Sequence, residues 1–93
     1  MTVPYHPPVK RSVEVAGHRT SISLEPLFWD MLREAAQAEG VPLNSLVARI
    51  DAERIGADSA PGLAGAVRLW LVARLRGGRE PAPAETVSAE ADQ

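Results

Sequence analysis

The chain has 93 residues, a formal net charge of −2 and no cysteine, which excludes a disulfide framework and any thiolate metal site. Its two histidines, His6 and His18, and its scattered carboxylates give no convergent ligand set, so no metal and no cofactor is expected. Such a length supports one small domain; a domain near 70 residues buries only roughly 60% of its unfolded surface, so association with a second chain is the available way to add core.

Residues 1–9, beginning Met1-Thr2-Val3-Pro4-Tyr5-His6-Pro7-Pro8, read as a flexible Pro-rich arm that cannot form helix. Met1 to Pro8 carry neither a basic n-region nor an apolar h-region, so no secretory leader is expected. The longest apolar stretch, Leu69 to Ala73, falls far short of the roughly 20 residues that span a bilayer. The expectation is a soluble cytoplasmic protein with no membrane partner.

The domain proper is expected over residues 10–77. Arg11-Ser12-Val13-Glu14-Val15 alternates like a strand, and Ala16-Gly17 offers a two-residue turn after it. His18-Arg19-Thr20-Ser21-Ile22-Ser23-Leu24 alternates as well, with Thr20, Ile22 and Leu24 on one face and Arg19, Ser21 and Ser23 on the other. Two pairings stay open. Either this second strand is a lone edge completed by the same strand of another copy, or it forms a hairpin with Arg11 to Val15 that sets Glu14 opposite Arg19. The lone edge is the working expectation, and it predicts a homodimer.

A first helix is predicted from about Pro26 to about Glu39, with Pro at N1 and Gly40 as the left-handed residue beyond its end. Leu27, Phe28, Met31, Leu32, Ala35 and Ala36 make its apolar stripe, with Trp29 at the edge over a dimer seam. After Gly40-Val41-Pro42, the spacing of Leu43, Leu46, Val47 and Ile50 predicts a second helix to about Arg54. Its first turn, with Leu43, Asn44 and Ser45, offers backbone amides and a partial positive charge suited to a phosphate. The dimer core is expected to comprise Thr20, Ile22, Leu24, Phe28, Met31, Leu32, Leu46, Val47 and Ile50.

A third helix is predicted from about Pro61 to Arg76, with Asp58 or Ser59 near its start and Gly77-Gly78 ending it. Leu63, Val67, Trp70, Leu71 and Arg74 form its stripe, and Leu69, Val72 and Leu75 broaden it. That surface is to be covered by the same helical body or by a protein partner. Residues 78–93 read as a disordered acidic tail.

Charge is sorted along the chain. Lys10, Arg11 and Arg19 stand against Glu14 in residues 1–24, whereas residues 25–62 hold three arginines against seven acids. Arg68, Arg74, Arg76 and Arg79 lie in 63–79 without an acid, and 80–93 carry Glu80, Glu85, Glu90 and Asp92. A basic ribbon beside an acidic body suits a protein that turns one face to phosphate, and places Lys10 and Arg11 there as phosphate contacts.

Extended Arg19 to Leu24, a helix, the Gly40-Val41-Pro42 turn and a second helix together resemble the ribbon-helix-helix family of DNA-binding proteins. Lys10-Arg11-Ser12-Val13, Ala16-Gly17-His18-Arg19-Thr20-Ser21, Phe28-Trp29 and Leu43-Asn44-Ser45-Leu46 resemble more narrowly a bacterial subgroup with an additional C-terminal helix. The resemblance implies a mainly α fold with a short β-ribbon, an intertwined homodimer, and a two-stranded ribbon in the major groove of double-stranded DNA. Carried over by position, Arg19, Ser21 and Ser23 would meet bases, and Leu43, Asn44 and Ser45 a phosphate. Pro42 departs from the hydroxyl residue common in the family at that helix cap, and removes one backbone donor.

No glycine-rich phosphate loop and no nucleophile-base pair can be nominated, so the protein is not expected to be an enzyme. The leading expectation is a homodimeric, sequence-specific transcriptional regulator, a repressor. The alternative is a dimeric interaction module or antitoxin-like adaptor that works through helix three or the tail.

Overall fold

The computed structural model describes residues 2–59 and 61–77. Two strands, β1 (Val9–Val15) and β2 (His18–Leu24), precede three helices, α1 (Pro26–Glu39), α2 (Leu43–Ile55) and α3 (Leu63–Leu75). A two-stranded antiparallel sheet followed by three helices is the ribbon-helix-helix arrangement with an extra helix.

The strands pair with each other, which corrects the expectation of a strand left without an intrachain partner. Val15 lies opposite His18, and the register runs without interruption to Val9 opposite Leu24. Ala16 and Gly17, at φ of 52° and 82°, make the type I′ turn whose twist matches a two-residue hairpin. Glycine meets that requirement freely, while the alanine Cβ resists it by about 1 kcal/mol. Val13 and Val15 repay this by facing inward, 4% and 8% exposed. Val9 therefore belongs to β1 rather than to the arm, and residues 2–8 form no regular element.

Inward residues of the hairpin rest on all three helices. Val13, Val15, Ile22 and Leu24 join Trp29, Leu32, Ala35 and Ala36 of α1, Leu46, Val47 and Ile50 of α2, and Ala66, Val67 and Leu71 of α3 in one core. Full burial of a Leu or Val side chain contributes about 1.5 to 3 kcal/mol, and Leu24, Leu32, Leu46, Val47 and Val67 reach 0% exposure. Six residues expected between two chains, Ile22, Leu24, Leu32, Leu46, Val47 and Ile50, are thus buried within one. Thr20, Phe28 and Met31 are half-buried at its margin.

The α1 stripe is rotated from the expected one. Leu27 is exposed, while Trp29, expected over a seam between chains, is 2% exposed and donates from Nε1 to the Val9 carbonyl at 2.9 Å. An indole buries its ring only where its N–H finds an acceptor, and β1 supplies one. At the other end of α1, Gly40 at φ 68° donates to the Gln37 carbonyl, and Val41 donates to Ala36, the paired bonds of a Schellman end. That stop aims the chain into α2, which begins at Leu43 with Pro42 as its N-cap. α3 begins at Leu63, two residues later than expected, with Gly62 rather than Asp58 or Ser59 at its cap and no side-chain capping bond. The expected acidic tail, 78–93, lies outside the described residues. Among the described residues no helix is long and apolar enough to cross a membrane.

Candidate nucleic-acid interface

Alternation sorts the hairpin into two faces. Directly opposed residues share a face, so Lys10 with Ser23, Ser12 with Ser21, and Glu14 with Arg19 line the outside. The expected base-contacting residues Arg19, Ser21 and Ser23 therefore come together, and β1 adds Lys10, Ser12 and Glu14 beside them. Five of these six, Lys10, Ser12, Glu14, Arg19 and Ser21, are exposed, and Ser23 is half-buried at the edge. Arg11 falls on the opposite face, where its guanidinium carbon lies 5.5 Å from the centre of the Trp29 ring. It is held at the flank of the ribbon, apart from Lys10.

Ion pairing separates the ribbon from the helical body. Arg33, Arg49, Arg54 and Arg68 are paired with Asp30, Glu39, Asp51 and Glu25. Among the described residues Lys10 and Arg19 enter no such pair, and neither does Glu14, although it stands opposite Arg19. Four of the body's arginines are thus paired, Arg74 and Arg76 at the end of α3 enter no such pair among the described residues, and the ribbon keeps its cations available to an anion.

The start of α2 is tied to this ribbon. The Asn44 side-chain oxygen accepts from the Glu14 backbone amide at 3.2 Å. In a hairpin closed by a two-residue turn, Val15 and His18 exchange bonds, so alternate residues, Glu14 among them, aim their amides away from the partner strand. Asn44 satisfies one of these outward amides with its acceptor end, and its Nδ2 donor end is left for another group. The first internal backbone bond of α2 runs from the Leu46 amide to the Pro42 carbonyl at 3.1 Å. The amides of Leu43, Asn44 and Ser45 precede it, and Pro42 supplies no capping side chain, so these three donors remain for an external acceptor. Leu43 itself is half-buried, whereas Asn44 and Ser45 are exposed.

The other edge of the hairpin meets α3. Arg68 donates to the Ser23 carbonyl at 3.2 Å and to Glu25 Oε1 at 3.0 Å, and lies over the Phe28 ring at 5.8 Å. A hydrogen bond from its own backbone amide holds the Glu25 carboxyl below its ordinary 4.5; desolvation opposes this, and Arg68 adds to the lowering. Sequence reasoning missed three of these ties: Asn44 to Glu14, Trp29 to Val9, and Arg68 to Ser23. The signal for the first two was the Ala16-Gly17 turn, since it alone fixes β1 beside β2; nothing in the sequence pointed to the third.

An exposed polar ribbon with unpaired cations therefore lies beside an uncapped helix start. The model of the family described as "Ribbon-helix-helix domain" matches residues 8–75, and the chain belongs to that family, whose fold is a DNA-binding one. No curated protein and no solved structure matches the chain.

Proposed function

We propose that the protein is a homodimeric, sequence-specific DNA-binding regulator of transcription, a repressor in a bacterial cytoplasm, which inserts its two-stranded ribbon into the major groove. The observation that carries this reading is the outer ribbon face: Lys10, Ser12, Arg19, Ser21 and Ser23 are gathered there, with both cations free of ion pairs among the described residues. In this reading Arg19 bridges guanine O6 and N7, and Ser21 and Ser23 donate or accept at neighbouring base edges. Lys10 and Arg11 meet phosphates beside the groove, and the amides of Leu43, Asn44 and Ser45 hold another phosphate at the α2 start.

A second reading, a protein-interaction module of antitoxin type, is favoured by one observation: Leu69 and Leu75 of α3 are 65% and 76% exposed. Gel shifts on DNA flanking the gene, with wild type and Arg19→Ala at two salt concentrations, separate the two. Under the first reading the wild type selects a sequence and Arg19→Ala loses that preference, at a cost of about 1 to 3 kcal/mol per site. Equal and negligible binding by both proteins refutes it.

A further inference from the structure

Glu14 is an anion on the face that carries the free cations. It is exposed on the outer row of the hairpin, directly opposite Arg19, and among the described residues neither side chain enters an ion pair. Lys10, Arg19 and Glu14 are the charged residues of that row, so toward a phosphate the carboxylate offsets one of two cations.

Strand geometry brings Glu14 and Arg19 close. Val15 and His18 close the two-residue turn as a hydrogen-bonded pair, which makes Glu14 and Arg19 a non-hydrogen-bonded pair with Cβ atoms about 4.5 to 5.5 Å apart. The bond from the Glu14 amide to Asn44 Oδ1, 3.2 Å long, sets this pair beside the start of α2, where the amides of Leu43, Asn44 and Ser45 are open to an anion. A phosphate held at that start is a second acceptor within the neighbourhood of Arg19, in competition with a base edge.

Arg19 can satisfy a guanine and a carboxylate together. Its planar fork has five N–H donors, of which guanine O6 and N7 take two. The others remain for Glu14, and a carboxylate bonded to them holds the flexible side chain in one orientation. A phosphate on the same guanidinium would instead bring its negative oxygens beside the Glu14 carboxylate, and like charges in such proximity repel.

We propose that Glu14 is a positioning residue that reserves Arg19 for guanine: it buttresses the fork toward the base and repels the phosphates that would otherwise take it. This rests on the DNA-binding reading above and adds to it the residue that sets the ratio of specific to non-specific binding. In the homodimer the pair occurs twice, so it acts on both half-sites.

The test uses the full chain and a duplex that the wild type enriches from a random pool, beside an unrelated duplex of equal length. Fluorescence anisotropy at about 50 and 200 mM salt gives the affinity of each duplex for wild type, Glu14→Gln, Arg19→Ala and the double variant. Glutamine keeps the side-chain length and the backbone amide that Asn44 accepts, and loses the charge. Glu14→Gln should bind the unrelated duplex about threefold more tightly, with a log-salt slope steeper by about 1 per copy, as Arg19 turns to a phosphate. It should bind the selected duplex about threefold more weakly, so the ratio falls about tenfold, and with Arg19 already alanine the same change should leave the ratio unaltered. A ratio within about twofold of wild type overturns the proposal, as does a change of equal size in the Arg19→Ala background. Weakening of both duplexes by one factor, with a lowered melting temperature, assigns Glu14 a structural role only and overturns it too. A pool in which the wild type enriches no sequence refutes the DNA-binding reading itself, and the proposal falls with it.

Discussion

Replacing Trp29 with Phe tests how β1 is held in place. The indole is 2% exposed, and its Nε1 donates to the Val9 carbonyl at 2.9 Å, so Trp29→Phe removes a part-buried hydrogen bond and shrinks a fully packed ring. The bond contributes about 1 kcal/mol, and the gap left by the smaller ring about 1 to 2 kcal/mol more. The half-buried Val9 carbonyl can turn to water, so no further penalty for an orphaned acceptor is added. The expected loss is about 2 to 3 kcal/mol, a large share of the roughly 3 to 5 kcal/mol that a core of this size supplies. Urea unfolding followed by circular dichroism measures the total. Amide exchange locates it: the Arg11 and Val13 amides, bonded across to Ile22 and Thr20, should exchange faster by a larger factor than those of Leu32 or Leu46. A loss below about 0.5 kcal/mol, or acceleration spread evenly over the core, refutes the argument that Trp29 anchors β1.

Further outcomes follow from the turn, the helix start and the Arg68 contact. Ala16→Asn should raise the melting temperature, because Asn tolerates the positive φ that Ala16 adopts at 52°, whereas Gly17→Ala should lower stability by about 1 kcal/mol with no steric clash, since nothing lies within 4 Å of the added Cβ. Glu25 has its folded-state pKa held below the ordinary 4.5, so its contribution is present above that value and is lost as pH falls through the lowered one. Glu25→Gln should therefore flatten the acid limb of stability against pH, measured by urea unfolding between pH 3 and pH 7 (a window of about four units around the carboxylate range), and an unchanged limb would sink the assignment. Asn44→Ala should weaken binding to all DNA sequences alike, because it frees the Glu14 amide and removes a donor beside the α2 start. Lys10→Ala should reduce the slope of log affinity against log salt by about 1, measured by fluorescence anisotropy.

Much of the fold was legible because local chemistry dictates it. Pro26 and Gly40 bound α1 where they stand in the sequence, since one fixes φ at a helix start and the other adopts φ of 68° at its end. The outward row Arg19, Ser21 and Ser23 follows from period-2 geometry whichever strand pairs with β2. Less legible was the α1 face. Leu27 and Trp29 are two residues apart, and composition favoured the stripe through Leu27; the position of the Val9 carbonyl is what made Trp29 the buried one. In the sequence Arg68 is likewise only one cation of a stretch without acids. Its partners, Glu25 and the Ser23 carbonyl, lie 43 and 45 residues away, a separation over which no local pattern carries information.

The sequence by itself determined the alternating ribbon, the limits of α1 and the sorting of charge between ribbon and body, because each depends on residues within a turn or two of one another. Tertiary structure decided which strand completes the ribbon, which cations stay free and which edge groups are capped. Those outcomes depend on β1, the α2 start and α3 converging on one hairpin, where Asn44 and Arg68 each satisfy a backbone group that the strand pairing alone leaves open and Trp29 adds a donor to the Val9 carbonyl.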